Sequence, residues 1–309
     1  MHDITAATAT SPVAGRRRSF RIAVAATALA FAATILPATG ATGAPEAQAA
    51  VATDSFPGAH NTGVPAGTQL RVHRGDLVIT RPGTVIDGLD VHGYVEVRAK
   101  DVTIRNSIIR GGAASGHSAL VRSASDGASL TITDSELVPN VQRHSINGLM
   151  GWNIDARRLD IHHVIDPAHF FGSGNVQLRD SWIHDNLHYV NDPSWGGKPS
   201  HDDGIQIQSG SGYWITGNRI EGATNAGIMI TQDAGRTANI MIRDNFLDGG
   251  GCTINAHDKG KGAFSNIDIR DNVFGTDSKY NCQLIRTAGD ITFTNNSMVD
   301  GRQPRVNSH

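Results

Sequence analysis

The stretch Ile240–Gly250, IMIRDNFLDGG, returns along this chain in altered spelling. VTIRNSIIRGG begins at Val102, LTITDSELVPN at Leu130, VQLRDSWIHDN at Val176 and YWITGNRIEGA at Tyr213. IDIRDNVFGTD follows at Ile267 and ITFTNNSMVDG at Ile291. Each reads apolar–x–apolar–x, then Asn, Asp or Gly, then Asn or Ser, then x and an apolar residue. The last four starts are 27, 27 and 24 residues apart, and a fixed period of this size marks stacked repeats. A second strand type lies between the phrases: GIQIQ from Gly204, GIMIT from Gly227, GCTIN from Gly251 and CQLIR from Cys282. Period-2 alternation marks strands, and nothing after the N-terminal segment shows the 3.6 spacing of an amphipathic helix.

The physical reading is an all-β, coiled parallel sheet in which each turn of chain stacks on the last at about 4.8 Å. Ile205, Ile207, Ile228, Ile230 and Ile254 point inward as ladders, and alternate positions point out. The phrase and its IRDN and ITGN corners resemble those of right-handed parallel β-helix proteins of the pectate-lyase-like superfamily, over roughly Val85 to Val299. That resemblance implies a single-stranded right-handed solenoid. Members of the superfamily are mostly secreted lyases, hydrolases and epimerases of uronate-containing polysaccharides, and others bind or adhere. Fold alone does not choose among these.

The N-terminal segment has a different character. Arg16, Arg17, Arg18 and Arg21 precede a small-residue apolar run, and Ala47-Gln48-Ala49 fits an A-x-A cleavage site. These features read as a secretory signal peptide over residues 1–49, with Arg17-Arg18-Ser19-Phe20 suiting a twin-arginine address. The apolar run is shorter than the ~20 residues a membrane span needs. Residues 50–309 are then one β-helix domain of an exported protein. Ser55 to Gly83 reads as an N-terminal cap or a truncated first coil, with the cap expected since a stacked solenoid must cover its ends, and the last residues, GRQPRVNSH, read as a frayed tail.

Removing those four arginines with Asp3 and Glu46 from 27 basic and 29 acidic residues leaves 23 and 27, a net charge near −4. Such a balance gives no basic bias toward nucleic acid or anionic membrane, and a monomer is expected. Cys252 and Cys282 are the only cysteines. In an oxidising compartment a lone pair reads as a disulfide, here between strand starts one coil apart.

Asn106, Asp134, Asp180, Asp244, Asp271 and Asn295 occupy one repeat position and read as corner residues, because Asn and Asp tolerate the left-handed conformation. Residues that break the repeat carry more information. The longest break, HDNLHYVNDPSWGGKPSHDD from His184 to Asp203, is a Pro/Gly-rich loop, and loops on rigid scaffolds are where sites concentrate. It offers His188, Lys198, His201 and Asp203 as catalytic candidates. Asp202 is a binding candidate, and Tyr189 and Trp195 are candidate sugar platforms. After it, GIQIQ, GIMIT and GCTIN are aligned glycine on glycine. That places Gln208, Thr231 and Asn255 in one outward column, which Arg286 extends if CQLIR keeps step, with Gln206, His257 and Lys259 beside it. His162-His163 reads as a solvated or packed pair rather than a ligand set.

What the resemblance implies is a lyase or C5-epimerase on an acidic polysaccharide. Both reactions need a group that neutralises the uronate carboxylate and a base for the C5 proton. The vWiDH and RxPxxR arrangements of calcium-dependent pectate lyases do not appear. No cofactor is required, and calcium is possible at Asp202 with Asp203 or Asp185 with Asp192. The alternative is an inverting hydrolase of polygalacturonase type using Asp202 or Asp203 with Asp233. A non-catalytic glycan-binding β-helix is the third reading.

Overall fold

Short strands separated by sharp corners climb as three parallel sheets in the computed structural model, which describes residues 53–113 and 116–309. The signal-peptide reading of residues 1–49 lies outside the described residues. Leu89–His92, Glu136–Leu137, Asp160–His162 and Trp182–His184 belong to the first sheet, of ten strands. Asn147–Gly151, Ala168–Phe170, Asp203–Ile207, Ala226–Ile230 and Ile254–Ala256 belong to the second, also of ten. The repeated phrases, such as Val102–Arg105 and Thr237–Arg243, open onto the third, of nine. Every strand pairs in parallel with its counterpart one coil away, as a right-handed parallel β-helix requires.

The inward ladders are the core. Ala168, Ile205, Ile228, Ile254 and Leu284 stack in register in the second sheet, and Phe170, Ile207 and Ile230 stack beside them. All are fully buried. Val176, Tyr213, Ile240, Ile267 and Ile291 do the same in the third sheet. Because side chains alternate along a strand, every second residue faces inward, and these apolar columns fill the coil.

The corners explain the recurrent polar residues. Asn106, Asp134, Asp180, Asp244, Asp271 and Asn295 all have φ between 49° and 57°, and Gly217 takes the same place at 68°. The next residue turns inward. Asn218, Asn245, Asn272 and Asn296 form a ladder in which each carboxamide oxygen accepts the preceding coil's backbone N–H at 2.9–3.1 Å. Ser107, Ser135 and Ser181 fill that place in earlier coils. Backbone groups left over at the corners are thereby satisfied within the core.

Four features differ from the sequence reading. Two coils were not legible: one opens at Val85–Asp87 and the other at Ile154–Arg157. In the second of these Arg158 holds the left-handed corner at φ 51°, supported by a two-pronged bond to Asp134 at 2.6 and 2.7 Å. The strand after Gly251 is displaced by two residues, because Gly249 and Gly250, both at positive φ, lengthen the corner. Ile254 therefore lies on Ile228 rather than Ile230, and a shift of two keeps it facing inward.

The other two differences concern the ends. Ser55 to Leu70 does not cover the end of the helix: Phe56 packs on Phe246 at 5.7 Å, and Gly63 N–H donates to Arg158 O at 3.0 Å. This segment runs along the flank, and Arg71–Arg74 and Leu77–Ile79 then enter the first two sheets as strands. At the other end the tail is ordered, with Val306–Ser308 pairing in parallel with Leu284–Arg286. Cys252 and Cys282 form the disulfide between adjacent coils, Cα atoms 4.6 Å apart. Among the described residues no helix is long and apolar enough to cross a membrane.

Candidate functional site

On the outer face of the second sheet lies an open cleft of about 440 Å³. Its base is the outward column His169–Gln206–Met229, set by the register of three consecutive strands. Gln208, Thr231, Asp233 and Lys259 line one side, and His144, Ser145 and Asn147 the other. Trp195 and His201 come over it from the long loop, their rings stacked at 3.9 Å and 23°.

The loop is braced by its own polar residues. Asp192, fully buried, caps the short 3-10 turn Pro193–Trp195 by accepting Ser194 N–H at 2.7 Å, and it also accepts Ser200 Oγ–H at 2.7 Å. Asp202, also fully buried, takes Thr224 N–H at 2.7 Å and meets His188 Nδ1 at 2.7 Å. Gly204 follows because the chains approach closely there: a Cβ would stand 2.5 Å from Gly227 O.

Under the cleft two carboxyls meet. Asp166 accepts the backbone N–H of Asp203 at 2.9 Å. Asp203 Oδ1 accepts Asn225 Nδ2–H at 2.8 Å, while its Oδ2 is buried without a partner. Burial pushes the Asp166 carboxyl up to about 7, with the Asp203 N–H opposing and the Asp202 charge adding to the rise. Burial also pushes Asp203 well above the usual carboxylate range, and the neighbouring Asp166 and Asp202 charges push the same way. Two such groups side by side share protons and titrate as a pair. His169, close by at 3.7 Å from Asp166, is held below the ordinary imidazole range by burial, with Gln208 opposing. A protonated carboxylic acid beside imidazoles is a proton-transfer set.

Of the residues singled out from sequence, Asp203, Gln206, Gln208, Thr231, Lys259, Trp195 and His201 line this cleft. Lys198 is exposed on the loop, its backbone bridged to Asp192. Asp202 and His188 brace the loop, and Tyr189 packs edge-on to His144 at 6.1 Å. The proposed column of Gln208, Thr231, Asn255 and Arg286 does not form, owing to the two-residue displacement before Asn255 and a one-residue slip in the next coil. Asn255 instead lies over Met229, and Arg286 follows Ala256 on the inward row. Asn255 and His257 contact His309, at 2.8 Å and 4.5 Å.

Sequence reading missed His144, Asn147, Asp166, His169 and Asn225. All but Asn225 precede the loop, and Asp166 is 37 residues from its partner. One signal was available: Asp166-Pro167 ends a repeat just ahead of a strand, as Asp202-Asp203 does.

The fold and the cleft define a parallel β-helix protein with an acid–imidazole groove across its coils. No family model, curated protein or solved structure compared with the chain matches it.

Proposed function

We propose that this is a secreted carbohydrate-active enzyme, of the pectate-lyase-like kind, acting in this cleft on a uronate-containing polysaccharide by β-elimination or C5-epimerisation. The observation that carries the reading is the unpartnered Oδ2 of buried Asp203 beside Asp166. Burial and the neighbouring carboxylates hold the Asp203 proton more tightly than usual, and a carboxyl in its protonated form donates a hydrogen bond to a uronate carboxylate where an ionised one would repel it. Gln206 and Gln208 add amide donors on the same face.

In this scheme the uronate carboxylate sits against Asp203 and the amides. His201 takes the C5 proton, and the electron pair moves into the carboxylate, whose growing charge the donors stabilise. In elimination the pair then forms the C4–C5 double bond as the C4–O bond breaks, and the leaving oxygen takes the proton that His201 removed. In epimerisation C5 takes a proton from water on the opposite face, and His201 gives its own back to solvent. Trp195, 47% exposed and stacked with His201, gives the pyranose a flat apolar wall. The disulfide suits an exported protein.

A second reading is favoured by Asp233, an exposed carboxylate on the same cleft. Protonated Asp203 as general acid and Asp233 as general base would make an inverting hydrolase.

A panel of uronate polysaccharides tests both. Ultraviolet absorbance of an unsaturated product supports elimination, and C5 proton exchange without cleavage supports epimerisation. New reducing ends without that absorbance support hydrolysis. Retention on a polysaccharide affinity gel with none of these signals would replace the enzyme reading with a binding module.

A further inference from the structure

On the outer face of the first sheet, away from the second-sheet cleft, four side chains converge from three successive coils. Glu136 stacks on Asp160, and His162 stacks on His184. Asp160 and His162 are two apart on one strand and so share a face. We infer that this is a binding site for a divalent transition metal of the zinc type, with His162 Nε2, His184 Nε2 and the Asp160 carboxylate as ligands and Glu136 as the fourth.

The separations fit. His184 Nε2 lies 2.9 Å and His162 Nε2 3.9 Å from Asp160 Oδ1, and His162 Nε2 is 3.3 Å from Glu136 Oε1. One ligand atom from each of Asp160, His162 and His184 falls within 4.8 Å of the others. Tetrahedral bonds of about 2.0–2.1 Å put neighbouring donors about 3.4 Å apart, within the span seen here.

The outer nitrogens strengthen the inference. His184 Nδ1 stands 2.8 Å from Asp185 Oδ2, which only accepts, so Nδ1 carries the proton. His162 Nδ1 stands 2.5 Å from His163 Nδ1, a contact that needs a proton between the two rings. With Nδ1–H on His162 as on His184, Nε2 is the nitrogen of each ring that stands beside the carboxylate oxygens and is placed to take a metal ion. An outer acceptor that fixes the tautomer of a ligating imidazole is the usual support of such sites.

The Trp182 ring, stacked on His184 at 3.5 Å and 15°, holds that imidazole in place. Two imidazoles with carboxylates suit zinc and its neighbours rather than calcium, which takes six to eight oxygens. His184 is buried while Glu136 is half-buried, which leaves an approach from solvent. A bound ion would pin three coils together where the long loop departs. The site stands whether or not the reading of the cleft is right.

The test is titration of the purified protein with zinc chloride against a chelating dye, and with Co²⁺ followed by its visible absorption. One equivalent of zinc and a tetrahedral cobalt spectrum are expected. Asp185→Asn leaves every ligand in place and should weaken binding about tenfold. His184→Gln should abolish it, with unchanged circular dichroism showing that the fold survives. His201→Ala, in the cleft, should leave binding intact. Absence of stoichiometric binding, or binding that survives His184→Gln, would overturn the site and leave only ion pairs. Loss of binding on His201→Ala would move the metal to the cleft. Should His184→Gln fail to fold, Asp185→Asn and the cobalt spectrum decide.

Discussion

The backbone N–H of Asp203 donates to the carboxylate of Asp166 at 2.9 Å, joining adjacent coils beneath the cleft. The bond brings together two buried carboxyls, both of which hold their protons more tightly than an unfolded chain would. The sign of the consequence follows from linkage. A carboxyl raised from 3.8 to about 7 binds more protons in the folded state between those values. Its stabilising contribution is fully present below the unfolded value and is lost as pH rises through about 7. Melting temperature should therefore fall over this window more steeply in the wild type than in Asp166→Asn. Asparagine keeps the acceptor for Asp203 N–H but does not titrate. Parallel melting curves of the two proteins across pH would refute the buried-pair assignment.

His201 is exposed and touches its surroundings through the Trp195 ring. His201→Ala should leave the melting temperature nearly unchanged and lower turnover on the responsive polysaccharide by about 10²–10⁴-fold, the worth of a positioned base. Undiminished turnover would assign the proton transfer to another group of the cleft.

Asn245 occupies the middle of the asparagine ladder. It accepts Asn218 N–H at 2.9 Å and donates to Ile215 O at 2.9 Å, with no solvent access. Alanine there strands both partners in the core, at about 1–3 kcal/mol for each unsatisfied group. Urea denaturation should show a fall of this order, with no change in the slope. An exposed corner substitution such as Asp244→Asn should be close to neutral in the same assay, since asparagine keeps the left-handed conformation.

The Cys252–Cys282 bridge closes a loop with a sequence separation of 30. Removing both thiols by serine substitution should cost about 2–4 kcal/mol, as expected for a cross-link of that length. The denatured, unreduced protein should show no titratable thiol.

How far the fold could be read depended on the corners. Where Asn, Asp or Gly took the left-handed position and Asn or Ser followed it, the coil was visible in the sequence; leucine follows Gly88 and Arg158 in the two coils that were hidden. Arg158 departs furthest from the pattern, an arginine at φ 51° bonded to Asp134 on another coil. The candidate site was half legible for a similar reason. Asp203, Gln206 and His201 stood out as departures from the repeat. Asp166 and His169 are ordinary residues until the register sets His169 beside Gln206.

Alternation and period alone determined that this chain coils into a parallel β-helix with isoleucine ladders inside. Each coil repeats the same local physics, so local sequence suffices. Tertiary structure decided which outward residues meet. A two-residue lengthening at Gly249 and Gly250 moved Asn255 out of the expected column, and a one-residue slip in the next coil moved Arg286. Stacking also brought Glu136, Asp160, His162 and His184 to one spot. Neighbours across coils lie some 25 residues apart in the chain, and only the length of each corner tells which residue stands over which.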